Sequence, residues 1–225
     1  MIEEIKKQLK EKATIFHTGG FRPTNEMGES WIGKVSYKKE NEELPLDKDG
    51  NAMGALAMFF IDDLNTYPTI LKGKYMMSVF ISYDLLDHYD DSEGYFCIRL
   101  YDNKDGLVPC DWRFFEDGYS FPLSKEFVDN DYPVWEGLSS EMIDKIIKLE
   151  NEEGIDYFDD IQEEQYAVHK IGGYPSYIQG GSDDDDDDFV FQITSDEKLG
   201  FNIVDSGNFY FSYFDQKWHL YGDFY

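Results

Sequence analysis

Cationic side chains are scarce in this chain. Its 225 residues hold 20 Lys and Arg against 47 Asp and Glu, a formal net charge of -27. Nucleic acid and anionic bilayer surfaces are bound by lysine and arginine displacing counterions, so a field of this sign excludes both as partners. Cysteine is nearly absent too. Cys97 and Cys110 have no CxxC and no Cys/His spacing of the kind zinc takes, and read as two free thiols in a reducing compartment. No apolar run approaches the roughly 18 residues of a bilayer-spanning helix. The opening Met1-Ile2-Glu3-Glu4-Ile5-Lys6-Lys7 has neither the apolar core nor the cleavage site of a secretory leader, which makes the expected location cytoplasmic.

Catalytic signatures are missing as well: GxSxG, HExxH, the P-loop and GxGxxG do not occur. Ser36-x-x-Lys39 and Ser195-x-x-Lys198 match a Ser-Lys spacing, but in polar, turn-like stretches without an accompanying KTG. Asp47-x-Asp49-x-Asn51 opens like a calcium loop, yet Ala52 stands where the glycine belongs and Met58 where the closing glutamate belongs. Six consecutive aspartates at 183–188 repel one another and read as a solvated surface loop with weak divalent binding at most. Among 47 acids, paired carboxylates carry no specificity. No metal, cofactor or catalytic residue is predicted.

What the chain has in quantity is aromatic side chains, 18 Phe and 17 Tyr, which favour pleated surfaces on which large rings pack across strands. The expected class is α+β: a β-rich, internally duplicated antiparallel sheet unit with a few flanking helices. Apolar spacing predicts helices over 2–13 and 142–153, the second capped by Ser139 or Ser140 and stopped by Gly154, and a short helix over 157–166. Strands are predicted at 14–16, 31–37, 56–61, 75–82, 95–101, 189–193, 200–204, 208–214 and 217–221. The stretch 102–137 reads as short strands and packed loop bridging two halves.

One phrase occurs twice. His17-Thr18-Gly19-Gly20-Phe21-Arg22-Pro23 near the start is echoed by His169-Lys170-Ile171-Gly172-Gly173-Tyr174-Pro175, and each copy leads toward aromatic strands. Paired glycines supply positive φ, after which proline fixes the exit direction. The repeat predicts a first half over 1–137, including the bridge, and a second over 138–225, packed as one compact domain. Candidate ligand or partner residues are His17, Gly19, Gly20, His169, Gly172, Gly173, Gln179, Gln192 and Asp205. A buried glutamine such as Gln192, between Phe191 and Ile193, must be hydrogen-bonded, so it pins a turn or lines a cleft.

The run from His169 to Gln179, followed by Phe191-Gln192-Ile193 and by Asp205-Ser206-Gly207-Asn208-Phe209-Tyr210-Phe211, resembles the YwqG-like family, a bacterial domain of unknown function. The opening GGFRPT with Trp31 and Gly33 downstream is similar to a variant of the same pattern. Phe59-Phe60-Ile61 departs from it, because the family tends to place a glutamine there. The resemblance implies an α+β fold with internal duplication and a bacterial, intracellular setting, and no established reaction. The expected function is a noncatalytic binding protein for a basic protein partner, an immunity-type inhibitor being one form. The competing class is a small-molecule binder or enzyme with a cleft between the halves.

Overall fold

The computed structural model describes residues 1–180 and 189–225, so the aspartate run at 183–188 lies outside the described residues. Helix α1 (Ile2–Leu9) turns Ile5 and Leu9 inward. It is shorter than the spacing predicts: Lys10 leaves in an extended conformation, and the next residues begin β1 (Glu11–Thr18), where Glu11 and Ala13 pair with Asp131 and Val128. Tertiary pairing overrides a helical pattern that is sound locally.

Strands β2 (Ser30–Ile32) and β3 (Lys34–Lys39) occupy the single strand predicted at 31–37. Between them Gly33 has φ +84°, and a Cβ there would lie 2.8 Å from the Tyr119 carbonyl oxygen. Only glycine turns the chain in that space. β2 stays in the main sheet, and β3 leaves it to pair with β7 (Leu107–Arg113).

The main sheet also contains β4 (Gly54–Phe60), β5 (Met76–Ile81), β6 (Phe96–Tyr101), β8 (Phe121–Asp131), β9 (His169–Gly172), β10 (Phe189–Thr194), β11 (Asn208–Phe214) and β12 (Lys217–Asp223). Its ten strands run in the order β12-β11-β10-β9-β1-β8-β2-β4-β5-β6, each paired antiparallel with its neighbours. The predicted bridge is thus largely regular structure: β8 spans 11 residues and lies between β1 and β2. The strand predicted at 200–204 does not form. Leu199, Phe201 and Ile203 are buried at period two, as in a strand, but Val204 and Ser206 take positive φ, and the segment makes only one isolated bridge, Asp196 with Phe201.

The sheet curls until it is nearly closed. Side chains from both ends of the strand order share one core, in which Phe16, Phe59, Val79, Phe191 and Phe211 are buried and Phe96 of β6 meets Phe211 of β11 edge to face at 5.9 Å. A second core holds Ala55, Met58 and Phe60 of β4 beneath the β3/β7 pair, with Val35 and the partly buried Trp112. This is why 56–61 is an unbroken apolar run: β4 is buried on both faces. A third core joins α1 to α2 (Ser140–Glu153) through Leu9, Ile146, Leu149 and Tyr157. α2 has the predicted ends: the Ser139 hydroxyl accepts from the Met142 N–H at 3.3 Å, and Gly154 stops the helix at φ 70°. The short helix is a five-residue π turn, Tyr157–Ile161. Among the described residues no helix is long and apolar enough to cross a membrane.

Phe191 stacks on Phe211 at 4.3 Å between ring centroids and touches Phe59 and Trp218, so it ties strands from both sides of the order. Replacing it with alanine is expected to cost about 3–5 kcal/mol, read from the denaturant midpoint at an unchanged slope. A loss below about 1 kcal/mol would contradict a core shared across the curled sheet.

Candidate functional site

The two repeated phrases start at facing positions of adjacent strands and run in opposite directions, so their glycine pairs lie at opposite ends of β1. β1 pairs antiparallel with β9, placing Phe16 opposite His169 and Ala13 opposite Gly172. All four glycines have positive φ, 68° and 84° at Gly19 and Gly20, 73° and 69° at Gly172 and Gly173. They differ in what surrounds them. A Cβ on Gly20 would meet nothing, whereas one on Gly173 would come within 2.1 Å of Asp131 Oδ2.

Asp131 needs that space. It ends β8, has no solvent access, and accepts from Lys170 Nζ at 3.1 and 2.9 Å and from the Tyr174 N–H at 2.8 Å. Lys170 is equally enclosed. Burial lowers its pKa, and Asp131 opposes that by favouring the ammonium.

From Gly173 the chain crosses as an irregular strap over 173–179, and side chains of the sheet take up its polar groups. After the Tyr174 N–H bonds to Asp131, Pro175 has no N–H to satisfy. The Ser176 N–H donates to Gln192 Oε1 at 3.0 Å, while Gln192 Nε2 donates to the Val168 carbonyl at 2.9 Å and to Ser176 Oγ at 2.6 Å. The N–H groups of Ile178 and Gln179 donate to Asp223 Oδ2 at 2.7 and 3.1 Å. Gln192 is therefore a pin for the strap, with its carbonyl and amide ends both engaged. Gln179 contributes its backbone N–H, and its side-chain amide donates to the Phe224 carbonyl at 2.5 Å.

His169 lies at the other end of β9. Its Nδ1 accepts from the Thr194 N–H at 3.1 Å, which puts the proton of the neutral ring on Nε2, 3.3 Å from Asp196 Oδ2. Asp196 also accepts from Thr18 Oγ1 at 2.5 Å and from the Leu199 N–H at 3.1 Å. Burial works against the Asp196 anion, but the bonds from His169, Thr18 and Leu199 outweigh it and hold the carboxyl well below the ordinary carboxylate range. A shallow groove of about 340 Å³ runs past these groups, lined by His17, Thr18, Ser195, Glu197 and Lys198 among others. His17 is exposed and lies 2.8 Å from Glu126. It neighbours Phe16 in β1, so alternation turns it away from the face that carries His169. Asp205 stands apart, exposed in the turn before β11, with its carbonyl accepting from the Tyr225 N–H at 3.2 Å.

These arrangements hold the fold and leave no activated nucleophile among them. Both nitrogens of His169 are engaged. Ser195 Oγ donates to the Gly207 carbonyl and accepts from the Ile203 N–H, while Lys198 Nζ donates to the Thr18 carbonyl. Lys39 Nζ bonds to the Asp105 carbonyl. Burial pushes the Cys110 thiol up to about 11 and raises Cys97, which disfavours the reactive thiolate in each. Asp47 uses Oδ1 to accept the Asp49 and Asn51 N–H groups and Oδ2 to accept from Ser82, forming a turn. No group of three or more His, Cys, Asp or Glu among the described residues is placed to hold a metal ion.

A family model for a domain of unknown function, DUF1963, matches residues 30–216. The chain belongs to that family. The match begins at β2 and ends just before β12, so it takes in the strap, Asp131, Lys170, His169 and Gln192 of this DUF1963 domain, but not β1 or Asp223. A comparison with curated proteins finds no match. The predicted residues that the structure assembles around β9 are His169, Gly172, Gly173 and Gln192, while Gln179 lies at the far end of the strap beside β12. Sequence reasoning missed Thr18, Asp131, Lys170, Asp196 and Asp223. Lys170 carried a signal, a lysine inside a short strand otherwise made of His, Ile and Gly, whereas the aspartates are lost among 47 acids.

Two outcomes are expected. Replacing Lys170 with Met strands the Asp131 charge and should cost about 3–5 kcal/mol, with the double variant K170M/D131L recovering part of the loss in denaturant unfolding. Asp196 has a depressed folded-state pKa, so its contribution is present above the unfolded value of about 3.9 and is lost as pH falls through the folded value. The stability gap between wild type and D196N should be full at neutral pH and close in the acid range, measured by thermal unfolding across a pH series.

Proposed function

We propose that this DUF1963 domain is a noncatalytic binding protein whose acidic surface takes a basic protein partner. One observation carries the reading: the polar groups that looked most like a reactive site, His169, Gln192, Ser195 and Lys198, are each engaged in internal bonds. What the chain offers a partner is charge. If every Lys and Arg were paired with one carboxylate, 27 carboxylates would still lack a basic counterpart. Such a field accelerates encounter with a cationic surface and repels phosphate-bearing ligands.

An immunity-type inhibitor of a basic protein is the specific form of this reading, and we read the DUF1963 match as the YwqG-like family, which implies no established reaction. We also read the two glycine phrases as copies of one ancestral unit. The support is that they leave facing positions of β1 and β9, where Phe16 lies opposite His169, with the β4-β5-β6 and β10-β11-β12 meanders lying outward on either side.

Affinity capture on the immobilised full chain tests the proposal, with an unrelated acidic protein of similar net charge as control. The expected result is a cationic protein retained over the control at low ionic strength and released as salt shortens the screening length to about 8 Å and below. Capture that is independent of salt, or recovery of a small molecule with no protein, would overturn it.

A further inference from the structure

The clasp where the strap meets β12 contains more oxygen contacts than its visible protons can fill. Tyr210 Oη lies 2.7 Å from the Ser176 carbonyl oxygen and 2.8 Å from Asp223 Oδ1, and it also receives the Asn208 amide at 2.9 Å. One phenol proton cannot point along both contacts at a good donor angle, so two oxygen–oxygen contacts this short are best filled by two protons. The phenol has one. The Ser176 carbonyl has none, so the second comes from Asp223. We propose that Asp223 is held as a neutral carboxylic acid at neutral pH, donating from Oδ1 to Tyr210 while Tyr210 donates to Ser176, and that loss of this proton unlatches the strap.

The rest of the site fits that arrangement. Asp223 Oδ2 accepts the N–H groups of Ile178 and Gln179, as the carbonyl oxygen of an acid would. The side chain is 3% exposed and, among the described residues, joins no ion pair. Among the described residues, the titratable groups packed against it are phenols: Tyr210 from β11, Tyr177 from the strap, whose ring packs on Tyr210 at 4.8 Å, and Tyr221 from β12, whose ring stacks on Tyr210 at 5.9 Å. Burial raises the Asp223 carboxyl above its ordinary range, more than the bonds from Gln179, Tyr210 and Ile178 lower it. Burial also raises Tyr210, so the phenol is not the group that ionises first.

The sign follows from linkage. A carboxyl whose folded pKa is raised contributes stability that is fully present below its unfolded pKa and is lost as pH rises through the folded value. Asparagine reproduces the neutral acid, with an oxygen for the two backbone N–H groups and an amide to donate to Tyr210, and it does not titrate.

The test is the side-chain carboxyl carbon shift of Asp223 in the full chain across pH, assigned through bonds, with thermal unfolding of wild type and D223N over the same series. The expected result is a neutral carboxyl at neutral pH, and a melting temperature for D223N that matches wild type in acid and rises above it as Asp223 titrates. An ionised Asp223 at neutral pH titrating in the ordinary range near about 4 would overturn the proposal. So would a D223N chain that is equally destabilised at every pH or fails to fold, since Asn supplies every bond the neutral acid makes.

Discussion

The buried pair of Lys170 and Asp131 is the interaction on which the second half of the sheet depends. Two charges without solvent access are costly unless they meet, and each has few ways to be satisfied. Asp131 ends β8 and Lys170 sits mid-β9, two strands away across β1, so the pair fixes three adjacent strands together. It also dictates the backbone. Asp131 reaches the Tyr174 N–H through the space that Gly173 leaves, and from there the strap crosses β10 to β12.

The strap shows how irregular backbone is kept beside a sheet. Buried N–H and C=O groups outside a ladder need partners, and here those partners are side chains: Asp131 for Tyr174, Gln192 and Tyr210 for Ser176, Asp223 for Ile178 and Gln179. The cost is chemical freedom. A glutamine or histidine held from both ends cannot also turn to a substrate.

Much of the fold is legible in order along the chain. The apolar run at 56–61 reports a strand buried on both faces, and Ser139 with Gly154 reports the ends of α2, because burial pattern and capping are local properties. The failures are equally physical. Residues 11–13 continue a helical pattern but pair with β8, and 199–203 alternate like a strand but feed the core from a loop. In both cases the decision rests on a partner distant in sequence.

The sequence by itself determined that the protein is β-rich with few helices and that the second glycine pair takes positive φ, because aromatic composition and the φ freedom of glycine need no partner to be read. Only the tertiary structure decided what that glycine pair is for. Asp131, Asp196 and Asp223 are three among 47 acids, indistinguishable until folding brings Lys170, His169 and Tyr210 against them. Burial then gives those three side chains a weight that the sequence does not display, since desolvation makes an unpaired polar group costly only once the water is gone.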